Sequence, residues 1–583
     1  MPALIVILLA LVGACSQQDG SVRITAQTLA KTEALLEDAA LTEAALNPEL
    51  TSQLGFDDRL LPDAKSQLSE VSQAAFERQR LLRMALTTRL SQAPNLPQDQ
   101  PLARDLRLTR FAMRDLIQLQ ASGKGHLSLS DQRVHTIDPF SGLWIEGPQT
   151  LVRDHIIETT EDADVYISRM TALADGLQDT RRRLLADAAT GHLPSKALLR
   201  ATRMKIDRFL DENILAAIPQ TLKSFSLTLP ADNAQSHEDR MRLAGQVYQT
   251  EMLPAYRDLS DAIRILEDQA PIPLGLWTQP GGVTLYNDLL QVHADDTARV
   301  NTLWPTLERA ISDLEASAPI ETGPVEDDLV ETTSKSIENE GVTSDTSDLR
   351  ALITQAARTT LTRQQVPLSV TQFLGLQRLE ARYDNRRPAI IIYDQDRLYT
   401  LPKPLLNAIL STPYIDAARI YDTAVRTGAQ RSAVRAYIQD DAFEQAWRTY
   451  FYSTKADSTL EEDYASVHAL DLFQTALAKA DLGLHAKRWS LSDTTGFLIS
   501  TIGISESLAN EAALRLAANP GHAVGVYVHT QRFRSLETRA RQVLGPRFDL
   551  SAFHSILISD GSRPLSLVER DVELWYQGLI ETR

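Results

Sequence analysis

One cysteine in 583 residues, Cys15, excludes any disulfide within the chain, so stability must come from a buried core. Cations are also scarce. Lys+Arg 59 against Asp+Glu 76 gives a net charge of −17, and no cluster of basic residues is long enough to attract a phosphate backbone, which argues against nucleic acid as a partner. No Gly-rich phosphate loop, nucleophile elbow or fixed-period repeat is present. The N-terminal apolar run, Ala3 to Ala14 in MPALIVILLALVGACSQQDG, is too short to span a bilayer as a helix. Against these absences stands length. A chain of this size can bury one large core or two to three ordinary ones, and with them a deep cleft.

The short apolar run reads as a secretion signal, residues 1–14. Its end, Val12-Gly13-Ala14-Cys15, resembles the lipobox of bacterial lipoproteins, in which the cysteine sulfur is acylated. No Lys or Arg precedes Cys15, a departure from the usual basic start. The alternative is an ordinary signal peptide or a buried N-terminal strand. That the chain's single thiol falls where a lipid anchor belongs favours lipidation of Cys15, and several acyl chains on one residue hold firmly to a membrane. Ser16 after the cysteine, by analogy with lipoprotein sorting, points to the outer membrane facing the periplasm.

Beyond the anchor, helical periodicity dominates. In YISRMTALADGLQDTRRRLLADAATG (166–191) apolar residues recur every three or four positions and Gly191 supplies a stop. STLEEDYASVHALDLFQTALAKA opens with Ser458 and Glu461 at capping-box spacing and carries Val467, Leu470, Phe473, Leu477 and Ala480 on one face. Similar patterns fill 65–93, 103–120, 194–219, 239–268, 296–316, 503–518 and 522–543, so the expected class is mainly α. The one clear β signal, PAIIIYDQDRLYTLP (388–402), has two β-rich runs around an Asp-Gln-Asp turn and predicts a short hairpin, either lining a cleft or covering core. Residues 320–348 hold nine acidic residues and one lysine with few large apolar groups, too little to offset the entropy of ordering. The chain thus divides into a lipid-anchored segment 15–59, an N-terminal helical half 60–319, a disordered acidic insertion 320–348 and a C-terminal helical half 349–583, with the two halves free to share one core.

A helical zinc site needs two histidines, a further ligand and a carboxylate. The only His-Glu pair, HEDRM at His237, has Met241 where a second ligand should stand, and reads as a helix start after Ser236. His522 and His529 are seven residues apart, about 10 Å along a helix, too far to share one ion directly.

The C-terminal stretch LGPRFDLSAFHSILISDGSRPLSLVERDVELW carries Gly545, Phe548, Asp549, Leu550, Phe553, His554, Gly561, Pro564, Leu565, Val568, Glu569 and Trp575. In this order and spacing it resembles the bacterial "domain of unknown function 885" family. NPGHAVG, DLGLHAKRWS and RRPAIIIYD resemble further family stretches, and IDPFSGLWIEGPQTL, GHLPSKALL and LPAYRDL do so more loosely. The resemblance covers most of 60–577. It implies a large, mainly α, zincin-like metallopeptidase fold with the hairpin near the cleft, whose zinc is held by a His-Glu-x-x-Pro-Gly-His helix and a further glutamate. Placed by order, that helix falls on IYDTAVRTGAQ, with Tyr421 and Thr427 at the histidine positions, Asp422 at the glutamate, and Val425-Arg426 in place of Pro-Gly. The third ligand falls on Gln445, with Glu444 beside it. An expected Arg-x-x-Arg pair reads Gln474 and Leu477, and Val526 and Tyr527 replace a tyrosine and a lysine.

A phenol, a hydroxyl and a carboxamide are poor zinc donors. The resemblance therefore implies a family member without zinc, a pseudoenzyme that is catalytically silent and binds a peptide, cell-wall fragment or protein partner, with Arg387, Glu444 and Trp489 as candidate cleft contacts. His485, in DLGLHAKRWS, is the candidate catalytic residue. A structural role at a helix end near Asp481 is the favoured alternative, and a retained substrate contact is the third. Two other readings remain: an active metal-dependent hydrolase with a relocated site drawn from Asp422, Glu444, Glu462, His468 and His485, which must then converge; and a purely structural envelope protein, which would show no concave pocket around 387–490.

Overall fold

The computed structural model describes the chain except residues 1–24, 57–59, 98–99, 123–124, 227–233, 296, 319–376, 381–389, 394–400, 412–413, 415–416, 419, 422–431, 456–459 and 582–583. The lipidation candidate Cys15, the acidic insertion and the positions Arg387, Asp422 and Thr427 lie outside the described residues.

The fold is mainly α. In chain order, the helices that matter for the site are α1 (Ala26–Leu46), α2 (Gln73–Gln92), α3 (Pro101–Gln120), α4 (Thr160–Ala189), α5 (Leu253–Leu266), α6 (Gly282–His293), α7 (Val300–Ala316), α8 (Lys403–Leu410), α9 (Asp441–Lys455), α10 (Glu461–Ala486), α11 (Leu491–Ile502), α12 (Glu506–Ala518), α13 (His522–Leu544), α14 (Leu550–Ile558) and α15 (Leu565–Glu581). Their starts follow local chemistry. Thr159 and Asp162 form a reciprocal capping box for α4, Ser490 and Asp493 one for α11, and Asp549 accepts from Ala552 N–H at the head of α14. Among the described residues, no helix is long and apolar enough to cross a membrane.

One expectation needs correction, and two fall in part outside the described residues. Helix α10 begins at Glu461 with Leu460 at the N-cap and no side-chain cap; Ser458 of the expected capping box lies outside the described residues. The β-rich run 390–393 pairs antiparallel with an upstream strand, β1 (Gln377–Glu380) with β2 (Ile390–Tyr393), in the register Gln377↔Tyr393 to Glu380↔Ile390; the Asp-Gln-Asp turn of the expected hairpin and most of its second run, 394–400, lie outside the described residues. QRLE is polar and carries no alternation, which hid the partner strand. The predicted single helix across 239–268 is interrupted by a π turn at Tyr248–Met252, just before Pro254, whose missing N–H and ring disfavour a regular α turn there.

The two halves share a core. One apolar cluster joins Leu36, Leu116, Tyr286 and Leu289 to Val434, Leu482 and Val524. Polar ties reinforce it: Arg435 Nη1 lies 3.1 Å from Asp105 Oδ1, Ser432 N–H donates to Asp105 Oδ2 at 2.7 Å, and the hydroxyls of Thr51 and Tyr437 meet at 3.0 Å. Helix α13 runs through the centre of the C-terminal half, packing on α6, α9, α10 and α15.

Candidate functional site

The helix α9 carries the positions where the family resemblance puts its third metal ligand, and its N-terminus gathers carboxyls. Asp440 Oδ1 accepts from Ala442 N–H at 3.0 Å, a capping contact at the positive end of the helix. Burial nonetheless pushes Asp440 up to about 7. Glu444 is 6% exposed and pairs with Arg448 one turn on, at 2.9 Å. Burial raises it to about 7 even against that guanidinium.

Tyr421 reaches this cluster from the other side. Its hydroxyl lies 2.6 Å from Ser562 Oγ, which donates to the Asp440 carbonyl at 3.3 Å. Burial, and then the nearby Glu444, hold the phenol well above its usual range, so it stays a neutral hydroxyl. Gln445 is buried, and its Oε1 has no hydrogen-bond partner. Tyr421 and Glu444, two of the positions that the family resemblance marks, thus lie in one cluster with Asp440 and Ser562, the first as a neutral hydrogen-bonded phenol and the second as an arginine-bound carboxyl. This donor set does not fit zinc, which needs unprotonated imidazole, thiolate or free carboxylate. Among the described residues no group of three His, Cys, Asp or Glu side chains is placed to hold a metal ion.

His485 lies elsewhere. Its Nδ1 accepts from Leu276 N–H at 3.1 Å, so Nε2 carries the proton and donates to the Leu516 carbonyl at 3.1 Å. The ring stacks on Tyr286 with centroids 4.9 Å apart, is 1% exposed, and is lowered by burial to about 4. With both nitrogens bound to backbone, this geometry leaves none for a reacting group. Tyr286 in turn donates to Asp481 at 2.8 Å, and Asp481 accepts from Gly521 N–H at 2.9 Å, capping α13. Gly483 belongs to the same device: a Cβ there would overlap the Trp489 ring. Trp489 packs against Trp304 and Phe497, at 5.7 and 5.1 Å between centroids, so its ring joins a packing cluster apart from the α9 carboxyls. The motif that seemed chemical thus fastens α10 to α6, α12 and α13.

The C-terminal motif does similar work. Phe553 and His554 pack on Tyr450, and His554 meets Trp447 edge-on at 5.2 Å, while Trp575 closes on Phe548 and Phe553. Arg563 donates to the carbonyls of Ile556, Leu557 and Gly561 and pairs with Asp571. This fixes the turn that presents Ser562.

The residues of the relocated-site reading that are described do not converge. His468 and His485 sit on one helix, seventeen residues or roughly 25 Å apart, and His468 Nε2 donates to the Leu314 carbonyl at 2.7 Å.

A concave pocket of about 110 Å³ does open beside Ser562 and Asp440. It takes only 438–440 from the predicted stretches. The rest comes from α3, the turn after His126–Leu127, the end of α6, His529 of α13 and the 562–566 turn. His293 and His529 line it, both 4% exposed or less, and Nε2 of the first and Nδ1 of the second have no hydrogen-bond partner. Burial lowers them to about 4 and about 3, so both rings are neutral. His522 stands edge-on to His293 at 6.2 Å. Gly525 makes the approach possible, since a Cβ there would be 2.6 Å from the His293 carbonyl oxygen. Sequence reasoning noticed His522 and His529 but missed His293, Asp440 and Ser562; the spacing signal stops at one helix, and His293 arrives from another.

The scaffold is mainly α, its C-terminal motifs serve packing, and a small cavity opens beside the N-terminus of α9. The profile of the family described as "Bacterial protein of unknown function (DUF885)" matches residues 48–318 and 455–572, and the chain belongs to that family. The match lapses over 319–454, the stretch that holds Tyr421, Glu444 and Gln445. No curated protein matches the sequence. Among solved structures, one described as "the putative lipoprotein from Colwellia psychrerythraea" superposes with TM-score 0.78 at 17% identity, covering 95% of this chain and 100% of that one. Another, "a putative lipoprotein of unknown function from Shewanella oneidensis", gives TM-score 0.53 at 12% identity over 94% and 99%. At these identities the likeness establishes the fold alone.

Proposed function

We propose that this chain is a lipid-anchored envelope protein, held by Cys15 on the outer membrane facing the periplasm, that has given up zinc-dependent hydrolysis and binds a peptide, a cell-wall fragment or a protein partner. The observation that carries this reading is the state of the α9 site: Tyr421 is a neutral phenol hydrogen-bonded to Ser562, and Glu444 is bound to Arg448. Supporting it, the family match lapses over the same stretch. For the anchor, Val12 to Cys15 is the support, together with the description of both structural relatives as lipoproteins.

The decisive measurement is metal content and peptidase activity of the purified full chain. Less than a tenth of an equivalent of zinc, with no chelator-sensitive hydrolysis, is the expected result; one equivalent with hydrolysis abolished by chelator ends the reading. Labelling cells with an alkyne fatty acid should mark the protein, and Cys15→Ser should remove the label.

A second reading, hydrolysis without the family's zinc ligands, draws on Asp440 and Glu444, whose acidities near neutrality suit proton transfer. It requires chelator-resistant peptidase activity that Asp440→Asn abolishes.

A further inference from the structure

Helix α2 is apolar on two sides. Leu86 and Leu90 on one side are buried in the shared core. On a helix of 3.6 residues per turn Leu81 stands nearly opposite Leu90, and there Leu81, Leu82 and Met84 are 57%, 53% and 40% exposed, with Ala85 exposed beside them. A surface helix ordinarily turns its second side to water with polar groups. This one presents three large apolar side chains within four consecutive positions, a face that a second apolar phase would cover.

The place of this face in the fold says which phase. Cys15 stands ten residues before Thr25, the N-cap of α1, so an acyl chain on its sulfur attaches no more than about 35 Å from Thr25 whatever path the chain takes. Helices α1 and α2 run antiparallel side by side, because Asp38 pairs with Arg89 and Glu43 with Arg83. Leu81 therefore lies on the order of 30 Å along the helix axis from Thr25. The anchor and the face are within reach of one bilayer surface. Arg78 before the apolar positions and Arg89 after them are each 58% exposed, and stems of this kind lie along apolar surface while the guanidinium reaches the headgroups. Each also contacts an acid, Glu70 and Asp38, so apolar contact rather than net charge carries the docking.

We propose that the Leu81, Leu82 and Met84 face of α2 rests on the lipid bilayer that holds Cys15, so that the anchored molecule lies with α1 and α2 along the membrane surface. The proposal rests on the lipid-anchor reading above and adds the face that meets the membrane.

The test uses the full chain, acylated in cells and reconstituted in vesicles of phosphatidylethanolamine and phosphatidylglycerol. Acylation blocks the thiol of Cys15, the only cysteine in the chain, so Leu82→Cys provides a single site for a bimane label. Ile272→Cys, at a position 81% exposed, is the reference for an exposed apolar position on another element. Nitroxides on the lipid acyl chains should quench the label at position 82 at least about threefold more than at 272, as a side chain entering the interface requires. Adding Leu81→Glu and Met84→Glu should remove about half of that quenching or more. Thermal unfolding checks that each labelled chain folds, and Leu81→Cys takes the place of Leu82→Cys if the latter does not. Equal quenching at 82 and 272 overturns the proposal. So does a label at 82 that is shielded from aqueous iodide yet untouched by the lipid nitroxides, the mark of a second copy or another protein on the face. If no acyl chain is found on Cys15, the anchor reading and this one fall together; an acylated chain whose position 82 stays open to iodide loses this inference alone.

Discussion

Glu43 and Arg83 face each other with almost no exposure. Two parallel hydrogen bonds of 2.8 Å join them, Asn47 donates to Glu43, and Arg83 reaches the Leu127 carbonyl at 3.3 Å. Removing one partner would strand the other charge in the core. Glu43→Ala should therefore lower stability by about 3–5 kcal/mol, read from urea unfolding. His485 gives a pH signature. Its folded acidity, about 4, lies below the ordinary 6.5, so the unfolded chain takes up its proton first. The stability from this ring is complete above pH 6.5 and is lost as pH falls towards 4. His485→Gln cannot titrate. It should be less stable than wild type at pH 7.5, and the gap should narrow by roughly 2 kcal/mol at pH 5. Asp481 has the opposite sign: raised to about 7 by burial, it favours the fold below pH 4 and loses that contribution as pH rises through 7. A gap that widens on acidification in His485→Gln would contradict the buried neutral imidazole.

At the scale of elements, close approach decides more than propensity. Helix α10 ends where Lys487 N–H and Trp489 N–H return to Gly483 and its neighbours, and Gly483 admits the indole face. Gly483→Ala should cost about 1–3 kcal/mol through overpacking, and Trp489→Leu in the same chain should recover part of it; equal thermal midpoints for Gly483→Ala and wild type would remove this account. The long amphipathic helices α4, α10 and α13 were legible because their apolar stripes repeat over several turns. The partner of Ile390–Tyr393 was not, since a polar strand takes its state from the ladder it joins. His485 was visible as a motif residue, yet its part depended on Leu276 and Leu516, which no spacing rule connects to it. The cavity was hidden for the same reason: His293, Asp440, His529 and Ser562 come from separate elements.

For the whole molecule, the shared core sets cooperativity. Leu36 and Leu116 pack in one cluster with Leu482 and Val524, and Asp105 is bound to Arg435. Residues 21–319 and 349–583, produced separately, should each fail to give a sharp unfolding transition, and together should restore it, as circular dichroism would report. Replacing 322–346 by a short Gly/Ser linker should leave the thermal midpoint within about 3 °C, because loop-closure entropy varies slowly with length. Two well-separated transitions in the intact chain would refute the single core.

The sequence alone determined what repeats along the chain or stands in fixed order: the mainly α class, the family, and the lone cysteine behind an apolar run. Periodicity and donor chemistry are local properties, and a string of residues carries them. Only the tertiary structure decided that His485 binds backbone with both nitrogens, that Ser562 joins Tyr421 to Asp440, and that His293 and His529 line one cavity. Those outcomes depend on which distant segments exclude water from one another, and that is fixed by packing in three dimensions.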